Sequence, residues 1–257
     1  MDIREMREKI IKEEMEFPKL FTHYQECDYG ILFYNVKNID SHDSNHAVIY
    51  PERIKNLRYV LNDVADFYKR KNLGTCFSIY HPFVEDYFIY NAKLLKECGY
   101  QFTICPDIRI MLLTEENKIL VPKRLEIKHI QKWDESIDRD VLECVAKKEH
   151  FKDVIKNSMD ENCYLFIGYL GNEAVSLLAF HKSTHGITRF DEMGTAEKYK
   201  NNGYAREMNS FAVDFLHEHR LPMAYQWPAH SSSERITTEA GFRVAFTLPS
   251  GFATLAE

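Results

Sequence analysis

The sequence predicts an α/β fold with a mixed sheet, built from two similar halves. Short segments rich in branched and aromatic residues, which favour strands, alternate with amphipathic helical segments along the chain. Two strand segments are joined by Gly171-Asn172, a turn sequence typical of a hairpin. Two amphipathic helical segments, 51–72 and 199–220, align with each other at an offset of 148 residues.

Charge and composition exclude several classes of protein. The chain has 257 residues, with 33 basic against 39 acidic side chains and a net charge of −6. Nucleic-acid binding depends on clustered Lys and Arg, and the chain has no such excess. The first residues lack the apolar core of a signal peptide, and no apolar segment is long enough to span a membrane. Six cysteines without a C-x-x-C pair fit a reducing compartment, so we expect a cytoplasmic protein that binds neither nucleic acid nor membranes.

The first half, residues 1–120, alternates strand and helix segments. Apolar residues at the i, i+3, i+4, i+7 spacing of one helix face predict the helix at 51–72, with Pro51 in its first turn. A polar segment ending in Pro122 marks the domain boundary near residue 120. The predicted elements, in order, are a helix at 2–16, a strand at 29–36, a polar loop at 41–47, the helix at 51–72, a strand at 75–80, a helix at 90–98 and strands over 101–113.

The second half, residues 121–257, repeats this alternation and contains the hairpin. Its long helix carries apolar residues on one face, among them Met208, Phe211 and Phe215. The predicted elements, in order, are a strand at 123–130, a helix at 134–148, a weaker helix from 151, strands at 164–170, 174–180 and 188–195, the helix at 199–220, a strand at 223–227, a helix at 231–240 and a last strand or strand pair at 242–248.

The similarity between the halves is concentrated in the two helices of the 148-residue offset. Val60 aligns with Met208 and Phe67 with Phe215, so both helices present the same apolar face. After a six-residue adjustment, residues 93–100 align with 235–242, and both segments end in glycine and an aromatic residue. Few positions are identical, so a shared helix–strand pattern without duplication is the alternative.

The segment between the strand at 188–195 and the long helix favours phosphate binding. A diphosphate needs several backbone N–H groups directed at it, and a helix N-terminus supplies them with a favourable dipole. Gly203 lets the backbone approach a phosphate without a Cβ atom, and Ala205 lets the helix begin close to it. An ordinary turn leading into a helix is the alternative. The candidate cofactor-binding residues of this loop are Lys200, Asn201, Asn202, Gly203, Tyr204, Ala205 and Arg206.

This loop resembles the acyl-CoA diphosphate loop of the GNAT N-acetyltransferase superfamily. The pattern of that loop is Gln or Arg, two residues, Gly, one residue, then Gly or Ala. Gly203 and Ala205 fit the pattern, whereas Lys200 departs from its first position.

A second segment, from His230 onward, is similar to another element of the same superfamily. That element reads Asn, two residues, Ser or Ala, a helix, then Gly-Phe. Ser233 and Gly241-Phe242 fit it, whereas His230 stands where Asn is usual. The resemblance implies that His230 and Ser233 help to hold acetyl-CoA, the acyl donor, and it implies no metal.

The resemblance also implies a V-shaped opening between the strands at 188–195 and 223–227, which receives the pantetheine arm. Main-chain groups of Met193, Gly194 and Thr195 would bind its amides. A glycine inside a strand often marks a bulge or a close backbone approach, so we expect a bulge at Gly194. A glycine that only ends the strand is the alternative.

Direct transfer of an acetyl group to an amine needs a base and a proton donor for the leaving thiolate. Asp191 and Glu192 lie on the strand next to the predicted thioester, where the superfamily often places its base. Strand alternation lets only one of them face the opening, and we favour Glu192; a solvated or ion-paired carboxylate is the alternative. The usual acid in relatives is a Tyr, which Thr237 replaces here. The candidate substitutes are Ser233, His230 and Tyr225.

The first half lacks the phosphate loop, because Lys55 aligns with Gly203. We expect a degenerate GNAT-like or accessory domain that has lost the ability to bind acetyl-CoA. It would serve as a scaffold or form a wall of the acceptor site. His42, Asp43 and His46 have a spacing that could bind a metal, but a polar surface loop is favoured and no metal site is predicted.

The sequence therefore predicts an acetyl-CoA-dependent N-acetyltransferase. It transfers acetyl by direct attack to the amine of an unidentified small-molecule or peptide acceptor. One alternative is a tandem GNAT that transfers an aminoacyl or other acyl group, and another is a non-catalytic acyl-CoA-binding sensor.

Overall fold

The chain alternates helices and strands throughout the computed structural model, which describes residues 2–39, 41–79 and 84–255, with the backbone alone at 76–79, 84 and 85. The helices are α1 (Ile3–Glu16), α2 (Leu57–Arg70), α3 (Val84–Tyr90), α4 (Ala92–Glu97), α5 (Glu135–Cys144), α6 (Glu149–Asn157), α7 (Tyr204–Glu218) and α8 (Ser231–Glu239). The strands are β1 (His23–Cys27), β2 (Gly30–Tyr34), β3 (Ala47–Ile49), β4 (Cys76–Ile79), β5 (Tyr100–Leu113), β6 (Glu126–Ile130), β7 (Cys163–Leu170), β8 (Glu173–Lys182), β9 (Thr188–Thr195), β10 (Ala224–Gln226) and β11 (Phe242–Leu255). Across these described ranges, none of the helices has the length and apolar character needed to cross a bilayer.

The described residues form two compact units. The larger unit contains the residues up to Ile10 and Arg109–Phe246, and the smaller unit contains Ile11–Ile108 and the residues from Thr247. Residues 111 and 112 of β5 pair with β10, and residues 251–254 of β11 pair with β4. Each half of the sequence therefore gives part of its last strand to the unit formed mainly by the other half. The assignment of residues 1–120 to an accessory domain and 121–257 to a catalytic domain stays a prediction.

Both units contain the same order of strands and helices. In the smaller unit, β2 pairs antiparallel with both β1 and β3, and β3 pairs parallel with β4. α2 connects β3 to β4. In the larger unit, β8 likewise pairs antiparallel with both β7 and β9, and β9 pairs parallel with β10. α7 connects β9 to β10. The 148-residue offset maps α2 onto residues 205–218, which is α7 without its first residue. The prediction of an α/β fold with two similar halves is confirmed.

The sheet of the larger unit, in the order β5-β10-β9-β8-β7-β6, is buried on both faces. One core, which includes Phe166, Phe180 and Met208, lies between the sheet and α7 with α8. The other core, which includes Val141 and Leu165, lies between the sheet and α5 with α6. Successive side chains of β7 enter opposite cores, because side chains alternate along a strand.

The helix expected from Pro51 begins six residues later than predicted. Pro51–Arg53 form a 3-10 turn, and Ile54 is extended, with ψ of 112°. The side chain of Asn56 then starts α2 by accepting a hydrogen bond from Tyr59 N at 3.1 Å. Apolar spacing continues through this turn, so periodicity alone does not reveal the break. The strand expected at 75–80 is β4, and its last predicted residue, Tyr80, lies outside the described residues.

Candidate functional site

β10 pairs with the first residues of β9 only. Their parallel pairing joins Ala224 to Thr188 and Tyr225 to Arg189, and within the described chain it does not continue further along β9. The first three side chains of β9 are buried, whereas the five that follow are only partly buried. We call the region beside the carboxyl half of β9, which does not pair with β10 and where the sequence resemblance implied an opening, the wedge.

β9 contains a bulge opposite Ala179 of β8. Two residues, Asp191 and Glu192, stand against this single residue, as the register on either side shows. The expectation of a bulge at Gly194 is therefore wrong. The bulge also interrupts the two-residue alternation from which we predicted that only one of the two carboxylates faces the opening.

A row of polar side chains lies next to the bulge. Cys163, His181 and Arg189 are neighbours on β7, β8 and β9, and His181 Nε2 lies 3.1 Å from Asp160 Oδ1. Arg189 forms an ion pair with Asp191, and both side chains are largely buried. Burial, with further contributions from the Asp191 and Asp160 carboxylates, raises the pKa of the Cys163 thiol to about 12. This thiol is protonated at neutral pH and is unsuited to be a nucleophile.

Gly194 permits a close approach between β9 and the end of α5. A Cβ atom at this position would lie 2.6 Å from the carbonyl oxygen of Cys144, closer than real Cβ contacts. The carbonyl oxygen of Gly194 accepts a hydrogen bond of 2.7 Å from Ser176 Oγ on β8. Close backbone approach, rather than a bulge, is the physical reason for glycine here.

The main-chain groups at the end of β9 alternate between β8 and the wedge. Ala196 N donates to Val175 O of β8 at 2.9 Å, and the Gly194 carbonyl oxygen also faces β8. Because main-chain groups of a strand point alternately to its two sides, Met193 and Thr195 direct theirs toward the wedge.

The loop between β9 and α7 presents a row of backbone donors. Gly203 is the N-cap residue of α7, has a φ of 83° and supplies no side-chain cap. The first backbone hydrogen bond into the helix runs from Glu207 N to Gly203 O at 3.2 Å. The described residues offer no acceptor to the N–H groups of residues 201–206. Such a row at the positive end of a helix dipole suits an anion.

The shape of this loop is fixed by its own side chains. Asn201 has a positive φ of 62°. Asn202 Nδ2 donates to Tyr199 O at 3.2 Å and to Lys200 O at 3.0 Å. The Tyr199 ring packs edge-on against the Tyr204 ring, with centroids 5.9 Å apart.

The two cationic side chains predicted for the loop are paired with carboxylates. Lys200 Nζ lies 2.6 Å from Glu197 Oε2. Arg206 Nε and Nη2 lie 2.8 and 2.7 Å from Glu239 Oε2. The backbone of the loop, rather than these side chains, therefore carries its capacity to bind an anion.

Two residues beside the loop escaped prediction. Glu207 is buried in the first turn of α7, and its Oε1 accepts hydrogen bonds from Arg124 N at 2.6 Å and Leu125 N at 2.7 Å. The signal in the sequence was the position of Glu207 on the apolar face of a helix, four residues before Phe211, where a carboxylate needs a buried partner. No motif connects it to Arg124, which lies more than eighty residues earlier in the chain.

The second motif starts α8. His230 is the exposed N-cap residue. Ser233 Oγ accepts from His230 N at 3.2 Å and donates to His230 O at 2.8 Å. A hydroxyl has one proton, so Ser233 can donate to another group only after its bond to His230 O breaks. Thr237, at the position of the tyrosine in relatives, is fully buried.

Three buried polar atoms on α7, β10 and α8 have no hydrogen-bond partner among the described residues. They are Asn209 Oδ1, Gln226 Nε2 and Thr237 Oγ1. Asn209 faces β9, since its Nδ2 lies 3.9 Å from Met193 Sδ. Buried polar atoms without a partner are rare in native proteins and each costs about 1–3 kcal/mol. These atoms fit a role in binding a polar ligand on this face of the sheet.

The polar loop at 41–47 is only partly the surface loop that we expected. His42 and Asp43 are exposed, but Ser44, Asn45 and His46 are buried. His46 Nδ1 lies 3.0 Å from His42 O. Burial, followed by the neighbouring His42, lowers the pKa of His46 to about 4. Within the part of the chain that the structure describes, no three His, Cys, Asp or Glu side chains form a group that could hold a metal ion.

Comparison with known proteins finds likeness in structure. No protein-family model and no curated protein matches the sequence. A GCN5-related N-acetyltransferase from Kribbella flavida aligns with a TM-score of 0.65 at 12% identity, over 97% of this chain and 95% of that chain. A functionally unknown conserved protein from Staphylococcus epidermidis has a TM-score of 0.64 at 10% identity, over 93% and 96%. A tandem GNAT protein from the clavulanic acid biosynthesis pathway has a TM-score of 0.57 at 8% identity, over 82% and 74%.

Likeness at this level of identity establishes a shared fold. The larger unit has a helix that starts at a glycine after β9, and both units share one topology. The chain therefore has the GNAT N-acetyltransferase fold, in two halves.

Proposed function

We propose that the larger unit binds acetyl-CoA and transfers its acetyl group to an amine. The observation that carries this proposal is the start of α7, where a glycine N-cap and the N–H groups of residues 201–206 form an anion site. This site follows directly on β9, whose carboxyl end forms one side of the wedge. The GNAT fold supports the same function.

The residues of the wedge suit a long polar ligand. The N–H groups of residues 201–206 would bind the diphosphate, and the main-chain groups of Met193 and Thr195 would bind the pantetheine amides. Gly194 keeps β9 close to α5. Buried atoms without partners on α7, β10 and α8 offer further hydrogen bonds.

The bulge of β9 is the proposed place of chemistry. Bound acetyl-CoA supplies an activated acyl group, and its transfer to an amine forms a C–N bond, breaks the C–S bond and releases the thiol. Glu192 is the proposed base that accepts the proton of the amine. The raised pKa of Cys163 argues against an acyl-cysteine route and favours direct attack.

The proton donor for the leaving thiolate is a further proposal with three candidates, of which Tyr225 is fully buried. His230 is exposed at the start of α8, and Ser233 requires that its bond to His230 O first break. A thiol has a pKa of about 8.5, so the thiolate can also take its proton from water.

The test is an acceptor screen with purified full-length protein and acetyl-CoA. Small amines, amino acids and peptides with free N-termini are supplied in turn, and thiol release and acetylated product are measured together. We expect thiol release that depends on the amine and that Glu192→Gln slows by about 10²–10⁴-fold. Binding of acetyl-CoA without turnover for any amine would favour the sensor, and faster turnover with another acyl-CoA would favour the tandem-GNAT acyltransferase. Absence of calorimetric binding to acetyl-CoA would contradict the proposal.

A further inference from the structure

We propose that Arg124 binds the diphosphate of the acyl-CoA from outside the loop motif, and that Glu207 and Tyr204 hold it in position. The inference rests on the proposed function and adds a binding residue that neither motif contains. Three observations carry it: the place of the guanidinium, its anchoring, and the groups that it leaves available.

The guanidinium of Arg124 lies at the start of α7. Its Nη2 is 3.5 Å from the position that a Cβ atom would take at Gly203. The N–H groups of residues 201–206 surround the same residue along the chain. A phosphate bound by these N–H groups would therefore lie within reach of a cation as well as a helix dipole.

Arg124 is anchored through groups that do not compete for a phosphate. Its Nε lies 3.3 Å from Glu207 Oε2, and its Cζ lies 4.3 Å from the centroid of the Tyr204 ring. Among the described residues, no acceptor bonds to Nη1 or Nη2 of Arg124. These two amino groups form a planar fork that matches two phosphate oxygens.

The other cations of the loop are held differently. Lys198 Nζ lies 2.6 Å from Glu173, and Lys200 Nζ lies 2.6 Å from Glu197, so each pairs through its charged end. Arg206 uses both Nε and Nη2 toward Glu239. Arg124 is bound at Nε and leaves its distal groups for a ligand, which distinguishes it from these three.

Glu207 is a positioning residue in this account. Its side chain is 4% exposed and accepts the N–H groups of Arg124 and Leu125 as well as Arg124 Nε. Burying a carboxylate is unfavourable unless its oxygens are fully bonded, and here they are bonded to a single segment at the start of β6. The result is a guanidinium fixed before the ligand arrives, so that less conformational entropy is lost on binding.

The experiment measures calorimetric affinities of three compounds for the full-length protein. CoA and dephospho-CoA both contain the diphosphate, dephospho-CoA lacks the 3′-phosphate, and pantetheine contains no phosphate. We expect Arg124→Met to lower the affinities for CoA and dephospho-CoA equally, by about tenfold or more, and to leave the affinity for pantetheine unchanged. The matched control is Arg139→Met, an arginine on α5 whose side chain is 76% exposed.

Two further variants keep the inference testable if Arg124→Met folds poorly. Arg124→Lys keeps the charge but loses the fork, and Glu207→Gln keeps an acceptor for the two backbone N–H groups. Both variants should bind CoA more weakly but bind pantetheine as tightly as the unmodified protein does. A purely structural role would not produce this selectivity. The inference would be overturned if these variants bound CoA as tightly as the control Arg139→Met does. A lower affinity for CoA but not for dephospho-CoA would mean that Arg124 contacts the 3′-phosphate, and would overturn the diphosphate assignment. Failure of the unmodified protein to bind CoA would instead overturn the proposed function.

Discussion

α2 and α7 occupy the same place in the two halves, yet their first turns are completed in different ways. Each helix follows a short 3-10 turn and carries the chain from one strand to its parallel neighbour. At α2 the Asn56 side chain accepts the hydrogen bond of Tyr59 N. At α7 the N-cap is Gly203, which has no side chain, and the N–H groups of residues 201–206 have no acceptor among the described residues.

We propose from this difference that one helix start serves stability and the other serves binding. An Asn N-cap stabilises a helix by about 1 kcal/mol relative to Ala, whereas an uncapped start leaves donors for another partner. Gly203 also has a φ that strongly favours glycine. We therefore propose that the smaller unit is an accessory copy that has closed its anion site, and that the larger unit has kept an open one.

The largest expected effect comes from removing the proposed base of the larger unit. Glu192→Gln keeps the size of the side chain but removes its basicity, so turnover should fall by about 10²–10⁴-fold. Acetyl-CoA affinity should stay near that of the unmodified protein. Partial recovery is expected at higher pH, because more acceptor amine is then neutral. Asp191→Asn is the matched variant in the same bulge, and full activity of Glu192→Gln at neutral pH would refute the assignment.

Acid should destabilise the smaller unit through protonation of His46. Its pKa is about 4 in the folded chain and about 6.5 when unfolded, so the unfolded chain binds more protons between these values. The corresponding stability is fully present above about pH 6.5 and is lost as the pH falls toward 4, by up to about 3 kcal/mol. Urea unfolding at pH 7 and pH 4.5 measures this loss. His46→Gln should reduce the difference between the two pH values, and His217→Gln, at an exposed position of α7, should not. An unchanged difference in His46→Gln would be incompatible with this source.

Filling the open helix start should weaken binding. Gly203→Val places a branched Cβ atom beside the proposed diphosphate, at a φ of 83°, and should lower acetyl-CoA affinity at least about tenfold. Gly171→Val is the matched control, since Gly171 also has a positive φ but no neighbour within 4 Å of an added Cβ atom. Calorimetry on both variants separates backbone strain from loss of the site. Equal affinities in the two variants would remove the basis of the phosphate-loop assignment.

The smallest expected effect comes from opening the closed helix start. Asn56→Ala should lower the free energy of unfolding by about 1 kcal/mol, while Asn56→Asp retains the cap and should change it little. Denaturant titration measures both. Neither substitution should change acetyl-CoA affinity, and a tenfold change in either would mean that α2 also takes part in binding.

The sequence predicted those parts of the site that depend on short segments. β9 was predicted at its observed bounds, whereas α7 begins five residues later and ends two residues earlier than predicted. Both elements could be recognised because a strand segment and a glycine before an amphipathic helix are local signals. The hairpin of β7 and β8 followed from Gly171-Asn172 for the same reason.

The parts that escaped prediction depend on strand register and on distant contacts. The bulge at Asp191 and Glu192 exists only relative to Ala179 on another strand, so Gly194 was chosen in its place. The link between Arg124 and Glu207 joins the start of β6 to α7, and no local pattern encodes it. The pairing of the ends of β5 and β11 outside their own halves likewise leaves no trace in a local pattern.

Amide hydrogen exchange of the full-length protein, with and without saturating CoA, tests the central claim most directly. That claim is that the open helix start of the larger unit binds the acyl-CoA and the capped one does not. On addition of CoA, we predict slower exchange at residues 201–206 and unchanged exchange at residues 54–59, since the Asn56 side chain caps the start of α2 whereas Gly203 leaves the start of α7 without a side-chain cap. Unchanged exchange at 201–206 under conditions where CoA binds, or equal slowing at 54–59, would contradict the account.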